Sequence, residues 1–232
     1  MIELFISAFV TFFVVIDPPG CAPIFAGLTA GTSAAHRRAM AVRAVVVAAV
    51  ILFGFALFGE VLLRALGISL NAFKIAGGIM LFLIALEMVF EKRTERREDR
   101  AEKVKASEPT DISIFPMAMP MIAGPGSIAS VMLLMSQNNG VERTTVVLAA
   151  MAAILLLTML ALLAAGPLMR VVGAKIEAVV SRLLGVLLGA LAVQFVIDGI
   201  SAALVAGRAA TGTEAPEGVQ RLAGSAGISG RS

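Results

Sequence analysis

Six long stretches of this chain are apolar and nearly free of charge, and no other feature restricts its fold as much. They run roughly from Ile2 to Ala30, Ala41 to Leu66, Leu70 to Phe90, Ile112 to Ser136, Thr144 to Met169 and Val179 to Val205. A bilayer core of about 30 Å needs about 20 apolar residues in a helix rising about 1.5 Å per residue, and each stretch meets that length. Composition agrees: 59% of the residues are hydrophobic and 15% charged, which argues against both a disordered chain and a water-soluble globule. The sequence therefore predicts an all-α membrane protein with six transmembrane helices.

Charge distribution sets the expected topology. Of 19 basic and 16 acidic residues, seven of each fall between Glu91 and Asp111. Basic residues cluster after the first, third and fifth spans, at Arg37, Arg38 and Arg43, in the Glu91 to Asp111 run, and at Arg170 and Lys175. The positive-inside rule puts those loops in the cytoplasm and both termini outside it. The Glu91 to Asp111 run reads as a solvated linker, partly helical, without chemistry of its own. The tail from Gly207 to Ser232 is rich in Gly, Ala, Ser and Thr and reads as disordered. The amino terminus carries Glu3 in place of a basic segment and shows no small-residue cleavage site, so its apolar run is expected to be a retained span.

The two halves repeat. In residues 1–90, Pro19-Gly20 lies within Asp17-Pro18-Pro19-Gly20-Cys21-Ala22-Pro23; Lys74 follows Gly20 by 54 residues, and Gly77 comes three later. In residues 112–206, Pro125-Gly126 lies within Ala123-Gly124-Pro125-Gly126-Ser127; Arg182 follows Gly126 by 56 residues, and Gly185 comes three later. Residues 91–111 join the halves. Three spans per half is an odd number, so the halves insert in opposite orientations as an inverted 3+3 repeat with broken first and fourth helices.

Both Gly/Pro clusters fall in the middle of their spans. Proline removes an amide and clashes with the preceding turn, while glycine permits conformations closed to other residues, so each cluster opens its helix. Open backbone at that depth must be packed in protein or line a wet cavity. The helix starting after each break presents a positive dipole end to an anion or carboxylate, and the freed carbonyls suit a cation or ammonium. A zwitterion such as an amino acid suits both. Asp17, Pro18 and Gly20 from the first break and Pro120, Gly124, Pro125, Gly126 and Ser127 from the second are the candidate substrate-binding residues. Asp17 has two readings that coexist: a substrate or coupling-ion ligand, and an N-cap for the half-helix beginning at Pro18. Ser113 and Ser127 offer hydroxyls, although serine in membrane helices more often bonds the preceding turn.

Lys74 and Arg182, at matching places in the two halves, are candidate gating or structural groups, with snorkelling to the headgroups as the alternative. Gln194 is deep enough to bond another helix and shares a face with Asp198. Cys21 reads as a small filler beside the break and His36 as a loop residue. With a single cysteine and a single histidine, the common cysteine and histidine metal signatures are missing.

At these residues the chain resembles the MarC-type inner-membrane proteins, grouped as a six-span family of neutral amino acid transporters. The resemblance covers nearly all of residues 1–206. It rests on Asp17-Pro18-x-Gly20-x-x-Pro23-x-Phe25, on Pro116-x-Ala118-x-Pro120-x-x-Ala123-Gly124-Pro125-Gly126, on the Ile-Ala-Gly-Gly run after Lys74, and on Val193-Gln194-Phe195. Pro19 and Cys21 depart from the family's aliphatic residue and Asn, and Lys74 stands where an arginine is usual. The resemblance implies transport of small neutral amino acids.

The expected function is therefore secondary transport of a small neutral amino acid by alternating access between the two broken helices. No cofactor is expected, although a proton or sodium ion is a candidate coupling ion at Asp17. A passive channel or exporter for another small polar solute is the alternative, with a membrane scaffold ranked below it. No HExxH, phosphate loop or Ser/His constellation points to an enzyme. The expected partners are the solute and the lipid bilayer of a bacterial inner membrane. No nucleic acid is expected, and self-association into a homo-oligomer stays open.

Overall fold

The computed structural model describes residues 1–106 and 111–210, with side chains at 105–106, 166–178 and 207–210 left aside. Those residues are helical almost throughout, with no strand among them. Helices α1 (Ile2–Ile16) and α2 (Pro18–Leu28) meet at Asp17, followed by α3 (Ala34–Ala65), α4 (Leu70–Val89) and α5 (Lys92–Ala106). An irregular, wide-wound segment Ser113–Ile122 then leads into α6 (Pro125–Gln137), α7 (Val141–Leu163) and α8 (Ala165–Ala210). Beyond residue 210, the tail expected to be disordered lies outside the described residues.

Local sequence accounts for the helix starts. Ser33 accepts the His36 amide at 3.3 Å and Ser69 the Ala72 amide at 3.1 Å, so α3 and α4 each open on a serine N-cap. Five stretches are long and apolar enough to cross a bilayer, and the pair Ser113–Ile122 and Pro125–Gln137, bent by 51°, makes a sixth. Large apolar side chains such as Val50, Phe58, Val61 and Leu62 on α3 stand exposed, the outside-apolar arrangement of a bundle solvated by lipid. Inside, Phe12, Ile16, Phe25, Met117, Ile122 and Ile154 are fully buried in one cluster, and a second forms where α4 meets α8.

The packing follows the repeat. Helix α3 packs on its counterpart α7, and α4 on its counterpart α8. Helix α1 packs on α7 as Ser113–Ile122 packs on α3, α2 on α7 as α6 on α3, and α4 on α6 as α8 on α2. Exchanging each element of one half for its counterpart leaves these pairings unchanged, the signature of a two-fold relation between the halves.

The two breaks differ in severity. At the first, Asp17 takes the left-handed conformation (φ 59°, ψ 66°), yet its amide still donates to Phe13 O at 2.9 Å and its carbonyl accepts from Cys21 N at 3.1 Å. Between those two bonds Pro18 and Pro19 bring no amide, so the ladder is interrupted locally, yet Ile2–Leu28 still reads as one 27-residue span. At the second, Phe115, Met119 and Pro120 leave helical geometry and Pro116 and Pro120 lie inside the segment, so the chain turns sharply before α6.

Candidate functional site

The geometry of the first break begins with Asp17. Its Oδ1 accepts the Gly20 amide at 3.1 Å, capping α2, and its Oδ2 accepts from Arg97 Nη1 at 2.8 Å. Both side chains are less than a tenth exposed. Gly20 is required here: a Cβ would run into the Asp17 carboxylate and approach Arg97 Nη1 to 3.0 Å. Pro18 and Gly20 are buried in the first turn of α2, and the Cys21 thiol donates to Ile16 O at 3.5 Å.

Arg97 comes from α5, where the sequence suggests a solvated linker. Two of its arginines are buried instead. Arg93 donates from Nη2 to Val15 O at 2.5 Å and from Nη1 to Val14 O at 3.5 Å and Met88 Sδ at 3.0 Å. It thereby ties α5 to the last turn of α1. Burial, and then the neighbouring Arg97 charge, push the Arg93 guanidinium down to about 10, which leaves it cationic at neutral pH. Arg96 pairs with Glu87 at 2.6 Å. These arginines were missed as site residues, though a signal existed: positions 93, 96, 97 and 100 follow the i, i+3, i+4, i+7 spacing of one helical face.

A cavity of about 60 Å³ lies where the breaks adjoin. Arg93, Arg96, Arg97 and Arg100 line one side, the second break from Gly124 to Ser127 lines another, and Val15, Ile84 and Met121 give it apolar wall. Gly126 lets the elements come together, because a Cβ there would collide with Ile84 and reach 3.3 Å from Val15 Cγ1. Helix α6 opens on Gly124 with no side-chain cap. Ser127 turns its hydroxyl back to Ile122 O at 2.7 Å, and Pro120 also lines the cavity.

Other expected residues lie elsewhere. Asp17 abuts the cavity through Arg97 but does not line it. Arg182 pairs with Glu91, and Lys74 is half-buried on α4 with no ion pair among the described residues. Gln194 donates to Asp198 at 2.7 Å on its own helix, and Asp198 in turn accepts from Gln137 of α6 at 3.4 Å. The glycines near Lys74 and Arg182 serve packing: Gly78 faces Ala192 and Val196, and Gly185 faces Met88 and Val89, closing α4 on α8. Among the described residues no cluster of His, Cys, Asp and Glu has the makings of a metal site.

Lipid-exposed apolar helices together with breaks that adjoin inside the bundle define a polytopic α-helical integral membrane protein with discontinuous spans. Comparison with known proteins refines that class. The chain belongs to the MarC family of integral membrane proteins, which it matches over residues 2–204. It is 39% identical to a UPF0056 membrane protein of Methanocaldococcus jannaschii over 204 residues, covering 88% of this chain and 99% of that one. It is 33% identical to the UPF0056 membrane protein YvbG of Bacillus subtilis, covering 86% of this chain and 95% of the relative. Identity to the UPF0056 membrane protein YhcE of Escherichia coli is 30%, covering 85% and 92%. No solved structure matches.

Proposed function

We propose that this protein is a secondary transporter of small neutral amino acids in the bacterial inner membrane, with both termini outside the cytoplasm. The solute crosses between the two broken helices by alternating access, one half rocking on the other. The observation that carries this reading is the adjoining of the breaks: Val15, next to the first, and Gly126 of the second line one cavity, so close that a Cβ on Gly126 would reach 3.3 Å from Val15 Cγ1. Non-helical backbone inside a lipid-facing bundle is costly unless it serves a pathway or is packed in protein, and here it borders a polar cavity. A scaffold has no need of it. No covalent chemistry and no resident cofactor enter the proposal.

The Asp17–Arg97 ion pair supplies a route to coupling. A proton or sodium ion at Asp17 replaces the guanidinium and loosens α5 at the first break, leaving Arg93 as its remaining tie to the Val14 and Val15 carbonyls, and so opens the cavity. Uptake of labelled alanine, glycine and serine into liposomes under imposed proton or sodium gradients tests this. Saturable uptake that follows a gradient in the wild type and loses that dependence in Asp17→Asn is the expected result. Absence of uptake from folded, inserted protein refutes the transport reading.

A further inference from the structure

The cavity between the breaks carries an imbalance of charge. Four guanidinium groups line it, and no carboxylate does among the described residues. Outside the lining, Asp17 meets Arg97 and Glu87 meets Arg96. Arg93, only 8% exposed, is met by the Val14 and Val15 carbonyls and the Met88 sulfur, and Arg100, half-buried, makes no ion pair among the described residues. Two cations thus share a small cavity without an ion pair of their own among the described residues, an arrangement that low-dielectric surroundings penalise until a counter-charge arrives. The first turn of α6 faces the same cavity with no side-chain cap and adds the positive end of its dipole.

The other half of the molecule contains the completed version of this arrangement. At the first break the Asp17 carboxylate sits at the N-terminus of α2, accepts the Gly20 amide and accepts from an α5 arginine. Pro125-Gly126 aligns with Pro19-Gly20, which puts Ala123 at the counterpart of Asp17, so the second half supplies the helix start and the arginines without the carboxylate. We infer that this cavity is a carboxylate site, and that the occupant is a short-chain carboxylate taking the place at α6 that Asp17 takes at α2. The size of the cavity and the Val15, Ile84 and Met121 wall fit a short alkyl tail, and among the described residues the lining holds no acid to receive an ammonium group. Recognition is therefore of the carboxylate end, and an amino group on the neighbouring carbon is tolerated without being required.

This inference deepens the transport reading by naming the end of the solute that is recognised, and equilibrium binding tests it apart from flux. Labelled propionate is titrated onto the full-length protein in lipid nanodiscs, with unlabelled alanine, n-propylamine and chloride as competitors. The expected result is saturable binding that alanine displaces and that propylamine and a tenfold excess of chloride do not. Arg100→Gln removes a charged hydrogen-bond donor and weakens propionate binding by about tenfold or more, while Arg64→Gln, in a surface pair with Glu60, leaves it unchanged. No saturable binding to folded wild type, displacement by chloride as effective as by propionate, or equal affinity in a folded Arg100→Gln would each overturn the assignment. Should Arg100→Gln fail to fold, the competitor series on the wild type decides alone. Binding without flux overturns the transport reading only, and flux of alanine without carboxylate binding overturns only this one.

Discussion

Arg97 Nη1 lies 2.8 Å from Asp17 Oδ2, an ion pair that spans 80 residues of sequence and fastens a charge-rich helix onto the break in the first span. Both partners are nearly inaccessible, so neither is rehydrated if the other is lost. Removing one partner of a buried pair leaves an uncompensated charge and costs about 3–5 kcal/mol, whereas removing both costs much less. Arg97→Gln is accordingly expected to lower the unfolding midpoint in detergent markedly. The double variant Asp17→Asn with Arg97→Gln recovers part of that loss. Equal destabilisation in the single and double variants would show that the pair contributes no coupling.

Gly126 and Gly54 form a matched test of the cavity. A side chain at Gly126 meets Ile84 and Val15, whereas a Cβ at Gly54 on α3 meets nothing within 4 Å. Gly54→Ala is expected to be neutral or to stabilise by about 0.5–1 kcal/mol through helix propensity. Gly126→Leu fills the space between the breaks and abolishes flux, with the fold monitored by size-exclusion chromatography and circular dichroism.

Asp111, ahead of the second half, accepts hydrogen bonds from the Ser113 hydroxyl and amide and pairs with Arg43. The Ser113 bonds, and after them Arg43, hold its carboxyl below the usual carboxylate range. A carboxylate depressed in the folded state stabilises above its unfolded pKa and loses that contribution as pH falls through the folded value. The gap in unfolding midpoint between wild type and Asp111→Asn is thus expected at neutral pH and closes on acidification. A gap that widens toward acid contradicts the assignment.

Cys21 reports on α5. It is fully buried beside the Asp17 cap. A small maleimide is expected to label it slowly in the native protein and at least about tenfold faster in Arg97→Gln, because local opening sets the exposure of a buried group. Fast labelling in the wild type would show that α5 does not stay on the break.

The spans and both breaks were legible because each depends on local composition: an apolar run of membrane length, or a Gly/Pro cluster within it. Their unequal severity was not, since it turns on whether Asp17 keeps its backbone bonds to Phe13 and Cys21 while Phe115, Met119 and Pro120 leave the helix. The largest gap was the Glu91 to Asp111 run. A run with equal acids and bases looks solvated, and only long-range packing reveals that Arg93 and Arg97 turn inward to carbonyls and a carboxylate from residues 14–17. Lys74 and Arg182 stood out because the halves repeat, but the repeated feature around them is the close approach of α4 and α8 rather than a place at the cavity.

If the second break lines a pathway open alternately to the two faces of the membrane, Ser127 is reachable from each face in turn. Ser127→Cys in a Cys21→Ser background places one thiol at the cavity, and membrane-impermeant reagents applied from either side of oriented vesicles read its exposure. Labelling is expected from both sides, slowed by alanine or propionate and biased to one side by an imposed gradient. A thiol reached from neither side, or from one side alone under every gradient and solute condition, would contradict alternating access at this site.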